Sequence, residues 1–264
     1  MLKKSLLLFL LFPILLTNSC QKTPLEPASP EPAPLPQFSQ RIKKVIRHVT
    51  YPGTGFSENI FQTEYFYDAQ GRVDSIYAYH SGQKVLYAPN GKVEKLLRYD
   101  YYNTRVGAEN TYQYDSEDRV ESITMQYFDE NGQPSFQSQQ FFEYDNEGFV
   151  VKEWHSNSND KTVITRENGN AVKNQRFYNA NGEEHWLSIA AFDDKFNPEY
   201  AVGMNSIYPG EFSPNNTTFA QIVHWDCGDY DPSPRNYTLI YNDEGLPLKS
   251  EETSGNYWVE YIYE

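Results

Sequence analysis

The tetrapeptide His224-Trp225-Asp226-Cys227, with a potential base near a potential thiol nucleophile, is the most enzyme-like cluster in this sequence. A cysteine attacks as its thiolate, and a nearby histidine is what takes the proton. On an extended strand, however, residues three apart point to opposite faces. No nucleophile elbow or pair of oxyanion-binding glycines surrounds the cluster, so it reads as a small residue where a strand meets a loop. Asp226, Asp229 and Asp231 offer carboxylates to a cation, but their place before Pro232 and Pro234 suits a solvated turn. The acidic turns DAQG, DENG, DNEG and NDEG lack the ligand set of an EF-hand loop. His48, His80, His155, His185 and His224 show no metal-ligand spacing. No catalytic residue, metal or cofactor is assigned. A hydrolytic carboxylate pair has no sequence signature among 36 acidic residues, and a hydrolase with unidentified carboxylates remains an alternative.

Aromatic residues offer a different chemistry. The flat faces of Trp225, Trp186 and Trp154, with Tyr230 beside the acidic cluster, suit the apolar side of a sugar ring. Trp258 is the fourth tryptophan. The competing reading places them as core plugs of a curled sheet. Gly203–Thr218 is a long excursion in a chain of short turns, and long loops carry binding.

These residues must be positioned by a repeat that runs through most of the chain. Its clearest copies are YFYDAQGRVDSI (65–76), YQYDSEDRVESI (112–123) and FFEYDNEGFVVKE (141–153). Weaker ones are LYAPNGKVEKL (86–96), YFDENGQPSF (127–136), FYNANGEEHWL (177–187) and LIYNDEGLPLKSE (239–251). Tyr-x-Tyr puts two rings on one face of a strand. Asp68, Asp115 and Asp145 start each turn by bonding the backbone two residues on. Gly71, Gly91, Gly132, Gly148, Gly182 and Gly245 fit where a short hairpin needs positive φ. Beyond residue 40 no strong helix signal appears.

The frame, best preserved at Tyr67-Asp68, Gly71-Arg72 and Val73, resembles the YD repeat of RHS proteins. A closer likeness, over roughly residues 45–264, is to YD-repeat-like lipoproteins of Bacteroidetes-type bacteria, a domain-of-unknown-function class. FDDKFNP (192–198), SPNNTT (213–218), LIYNDEGLPLKSE (239–251) and a final Tyr-rich strand carry it. The resemblance implies an envelope location and no known reaction. Together the repeat and the resemblance predict an all-β fold over 41–264. It is a long twisted antiparallel meander of hairpins, curled on itself, with about twelve to sixteen strands.

The amino terminus reads as a targeting segment. Lys3 and Lys4 precede an apolar run at 6–16 that is too short to span a bilayer. Thr17-Asn18-Ser19-Cys20 resembles a lipobox, which implies a signal peptide at 1–19 and acylation of Cys20. Residues 20–40 hold Pro24, Pro27, Pro30, Pro32, Pro34 and Pro36 and form a tether. Loss of 1–19 leaves 20 Lys+Arg against 36 Asp+Glu, a mature net charge of −16. That balance argues against a nucleic-acid partner, and a mean hydropathy of −0.72 argues against a bundle of membrane helices. Two cysteines make no disulfide framework.

The sequence thus predicts a non-catalytic lipoprotein at the outer membrane, anchored by lipid and exposed to the periplasm or cell surface. It would bind an extracellular glycan or protein. A structural envelope component without a ligand is the alternative from another class.

Overall fold

The computed structural model describes residues 38–50, 59–78, 81–100, 105–178, 182–225 and 233–264, the side chains of 59, 224 and 225 excepted. Among the described residues sixteen strands follow in chain order. They are β1 (Ile42–Val49), β2 (Asn59–Tyr67), β3 (Val73–Ala78), β4 (Ser81–Tyr87), β5 (Val93–Tyr99), β6 (Val106–Tyr114), β7 (Val120–Phe128) and β8 (Pro134–Tyr144). Then come β9 (Val150–His155), β10 (Lys161–Glu167), β11 (Asn170–Tyr178), β12 (Glu183–Phe196), β13 (Asn215–Trp225), β14 (Arg235–Tyr241), β15 (Pro247–Glu252) and β16 (Tyr257–Tyr263). Each pairs antiparallel with its neighbours in sequence, and β16 pairs with β1, so the sheet is a closed barrel. The expected meander is therefore all-β and antiparallel, but it closes rather than curls. Closure satisfies the edges that an open sheet of this length would leave bare.

The seam is a split copy of the repeat. Arg41 and Glu264 exchange both backbone hydrogen bonds, at 3.2 and 3.0 Å, and their side chains pair at 3.4 Å. They stand to Tyr263 and Ile42 as Arg72 and Asp68 stand to Tyr67 and Val73.

At the repeat turns Asp68 N–H bonds Arg72 O and Gly71 N–H bonds Asp68 O. Gly71 has φ 79° and Gly148 φ 84°, while Asp118 takes the same left-handed place at φ 67°. Directly after each turn the register slips by one residue, as between Tyr67↔Val73 and Phe66↔Ser75. That bulge is why Val73 and Ile76, three apart, are both buried inside.

The inward row also includes Val45, Val85, Leu96, Tyr112, Ile123 and Phe142. The alternate residues face outward and carry cross-strand ion pairs. Lys44–Glu64 and Lys152–Glu143 are 2.6 Å apart and Lys95–Glu109 2.7 Å.

So wide a barrel needs a filler, and the β12–β13 connection supplies it. Two single-turn helices, α1 (Pro198–Ala201) and α2 (Met204–Ile207), lie against the core. Asn197 caps α1 by accepting from Glu199 N–H at 3.0 Å, and Pro198 opens it. Met204 and Ile207 are buried. Tyr112 donates to Ile207 O at 2.6 Å, Tyr208 donates to Gln83, and Glu199 takes Tyr65 Oη–H and lies 3.7 Å from Arg47. The absence of a strong helix signal fits helices of four residues each. The bounds of the expected excursion, Gly203–Thr218, are corrected, because 198–202 already belong to this plug and 215–218 belong to β13.

Candidate functional site

Alternate connections of an up-and-down barrel fall at alternate ends. Five copies of the repeat, the three clearest and the weaker ones at 87–93 and 241–247, lie at the end where the plug enters, with the Arg41–Glu264 seam. There they build a rim of interlocked side chains. The last tyrosine of one strand reaches across the preceding strand to the carbonyl of its first residue. Tyr87 donates to Val73 O and Tyr114 to Val93 O at 2.8 Å, and Tyr144 donates to Val120 O and Tyr263 to Pro247 O at 2.7 Å. Tyr67 does the same to Ile42 O.

The repeat's basic residue lies over the next tyrosine ring. Arg41 stands 4.3 Å from the Tyr67 centroid, Arg72 4.0 Å from Tyr87, Lys92 4.7 Å from Tyr114 and Arg119 4.8 Å from Tyr144. Each cation also has an acid. Arg72 meets Asp68 at 2.7 Å, Arg119 meets Asp115 at 2.8 Å and Glu117 at 3.0 Å, and Lys92 meets Asp118. The rim is basic in residue type and balanced in charge.

Burial pushes the Tyr87 and Tyr114 hydroxyls up to about 12, and raises those of Tyr67, Tyr144 and Tyr263 further. For Asp68, desolvation pushes the carboxyl up. The backbone and guanidinium hydrogen bonds from Arg72 outweigh it and hold the group below the usual carboxylate range. Asp115 behaves likewise beside Arg119. A depressed folded pKa gives stability that is present above the unfolded value of 3.8 and is lost as pH falls through the folded one. The double variant Asp68→Asn/Asp115→Asn should therefore have a lower urea midpoint than the wild type at neutral pH. The two midpoints should converge at the lowest pH that keeps the wild type folded. Parallel midpoints across that range would contradict the assignment.

Inside the rim lies an open bowl of about 940 Å³. Its walls are the Arg–Tyr pairs with Gln40 and Gln70, and its floor is the top of the plug, with Ala201, Val202, Gly203, Asn205 and Ser206. These groups suit hydrogen bonding to a polar ligand.

The tryptophans are not gathered at this bowl. Trp154 stacks on Phe141 (5.4 Å between centroids) on the outer face, with Lys152 over its ring at 4.7 Å. Trp258 stacks on His48 at 4.6 Å. Trp186 sits opposite Trp225 in the β12–β13 register, and only the backbone of Trp225 is described. Cys20, Asp226, Cys227, Asp229, Tyr230 and Asp231 lie outside the described residues. Among the described residues no three His, Cys, Asp or Glu are grouped as a metal site.

The sequence reading missed the rim cations and the plug residues Asn205 and Ser206. The available signal was the fixed place of Arg72, Lys92 and Arg119 in the repeat, each just after a turn and before an inward valine. Their tyrosine partners lie on other strands and leave no local trace.

No protein-family model matches the sequence, and no curated protein matches it either. The fold is similar to that of a porin-like protein from Bacteroides uniformis, at TM-score 0.53 and 14% identity, over 84% of this chain and 98% of that one. A second, from Bacteroides vulgatus, gives TM-score 0.48 and 10% identity over 85% and 99%. The resemblance to the YD repeat of RHS proteins and to YD-repeat-like lipoproteins of Bacteroidetes-type bacteria is thereby corrected: the described strands close into a sixteen-strand barrel, and the solved fold they resemble is porin-like.

Proposed function

We propose that this chain is a non-catalytic protein of the bacterial envelope, held at the outer membrane by an acyl chain on Cys20. On this reading its plugged barrel takes a neutral, hydroxyl-rich saccharide in the rim bowl. The observation that carries the reading is the bowl itself: an open cavity of about 940 Å³, walled by cations whose charge is already matched. Arg72 spends Nε and Nη2 on Asp68, which leaves the Nη1 hydrogens as donors. Gln40, Gln70, Asn205 and Ser206 add amides and a hydroxyl. Such a surface offers hydrogen bonds without a net field, while the mature charge of −16 repels acidic polymers.

Two further observations support the reading. The bowl's described lining holds one carboxylate, Asp118, and it is paired with Lys92, whereas glycoside hydrolysis by the usual route needs two. Glu211, whose pKa is raised by burial and then by Glu153, is not part of that lining. The outward ion pairs also favour a barrel standing in water. A Lys or Arg facing lipid at the bilayer midplane costs about 2–4 kcal/mol.

The test is a binding screen of the full chain against neutral and acidic polysaccharides at low and high salt. Binding to a neutral glycan is expected, with affinity changed less than about twofold by salt, since balanced pairs leave little to screen. Selective binding of acidic polymers that salt abolishes would overturn the ligand class, and no binding at all would overturn the binding role. The anchor is read separately. Cys20→Ala should move the protein from the membrane to the soluble fraction, and unchanged detergent partitioning would contradict acylation.

A further inference from the structure

Four large apolar side chains stand out from the barrel in one row just outside the bowl: Ile240 (54% exposed), Leu248 (42%), Ile262 (41%) and Phe66 (49%). They belong to β14, β15, β16 and β2, which are contiguous around the barrel with β1 between the last two. Each is the immediate neighbour of a rim residue: Tyr241, Pro247, Tyr263 and Tyr67. At β1 the row is completed by Lys43, whose side chain is 55% exposed and lies 3.6 Å from Glu264. The chain that precedes Phe38 joins the barrel at this same point, between Ile262 and Phe66.

We infer that this sector of the outer rim docks on a zwitterionic lipid surface, with the four apolar side chains at the headgroup–acyl boundary and Lys43 at headgroup level. The inference rests on the membrane reading above and adds an orientation to it. Its occupant follows from where the chain outside the described residues attaches. Cys20 is eighteen residues before Phe38, a reach of about 60 Å at most, and that reach starts from the middle of the row. An apolar row with a cation at the root of a lipid tether suits a bilayer interface. The net charge of −14 disfavours a strongly anionic surface. The ion pairs that cover the outer face further from the rim, such as Lys95–Glu109, keep the rest of the wall in water. The bowl then opens at the membrane-proximal end.

Hydroxyl-radical footprinting of the full chain, with and without phosphatidylcholine vesicles, tests this directly. Labelling of Phe66, Ile240, Leu248 and Ile262 should fall at least about threefold on vesicles. Phe136 and Val223, exposed apolar residues outside the row, should label as before. The Cys20→Ala chain at high vesicle concentration reports the row without the anchor and should retain part of the protection. The combined variant F66S/I240S/L248S/I262S should lose that residual vesicle binding. Equal labelling of the four residues with and without vesicles, in both chains, would overturn the docking surface. Failure of the anchor is recognised independently, because wild type and Cys20→Ala would then float alike.

Discussion

Replacing Arg166 by methionine is expected to lower folding stability by about 3–5 kcal/mol, read as a shift of the urea midpoint at unchanged slope. The reason is an inversion within the rim. After the turn that holds Asp145 and Gly148, the position of the repeat's cation is taken by Phe149. The position of the next tyrosine is taken by Arg166, whose guanidinium lies 5.7 Å from the Phe149 ring. Arg166 Nε donates to Val150 O at 2.6 Å, the carbonyl that a tyrosine hydroxyl would have reached. Its Nη1 donates to Gly169 O at 2.7 Å and its Nη2 to Gly210 O at 3.3 Å, so one side chain ties two strands to the plug. Methionine fills similar space and leaves three acceptors without their donor, at about 1–3 kcal/mol for each one that stays buried. The double variant Phe149→Arg/Arg166→Tyr restores the ordinary order and should be more stable than Arg166→Met. If Arg166→Met shifts the midpoint by less than about 1 kcal/mol, the latch is not what holds the plug.

The second large effect is expected in alkali. The rim tyrosines stay protonated in the folded protein after an unfolded chain has begun to ionise at 10.0. A raised folded pKa gives stability that is complete below the unfolded value and is lost as pH rises through the folded one. For Tyr87 and Tyr114 that window is 10.0 to about 12. A two-unit shift corresponds to about 2.7 kcal/mol. Both rings are partly exposed, so solvent screening reduces this to about 1 kcal/mol each. Tyr67, Tyr144 and Tyr263 add to it with the same sign. Phenolate absorbance should therefore rise in one steep step that coincides with loss of near-ultraviolet circular dichroism. A broad titration centred near 10 with the native dichroism intact would show that the hydroxyls are not held by the neighbouring carbonyls.

The hairpins were legible in the sequence because their causes are local. Asp68 binds the N–H groups of Gln70 and Arg72 within its own turn, and Gly71 supplies the positive φ that closes it. Closure was not legible. β1 and β16 meet from opposite ends of the domain, and no turn joins them. The same local frame serves an open or a closed sheet, so the likeness to an RHS-type meander went further than the residues carried it. The plug left one trace, the Asn197-Pro198 helix start, easily passed over for helices of four residues each. The candidate site was legible only as turn chemistry. The cation and tyrosine that meet at the rim are separated by 15 positions at Arg72 and Tyr87, and by 25 at Arg119 and Tyr144. Only the three-dimensional order of strands makes them neighbours. Tryptophan has a general aptitude for sugars, yet Trp154 and Trp258 are engaged with Phe141 and His48 away from the bowl.

On the proposed function the ligand sits inside the rim, on the plug. Ser206 is exposed on the bowl floor and its neighbour Ile207 is buried beneath. Ser206→Trp therefore fills the bowl without entering the core. Calorimetric titration of the glycan selected by the wild-type screen into the full-length Ser206→Trp chain is the most direct measurement. Its affinity should fall at least about tenfold, with the thermal midpoint of the protein unchanged. Undiminished binding by a folded Ser206→Trp chain would place the ligand elsewhere and contradict the account.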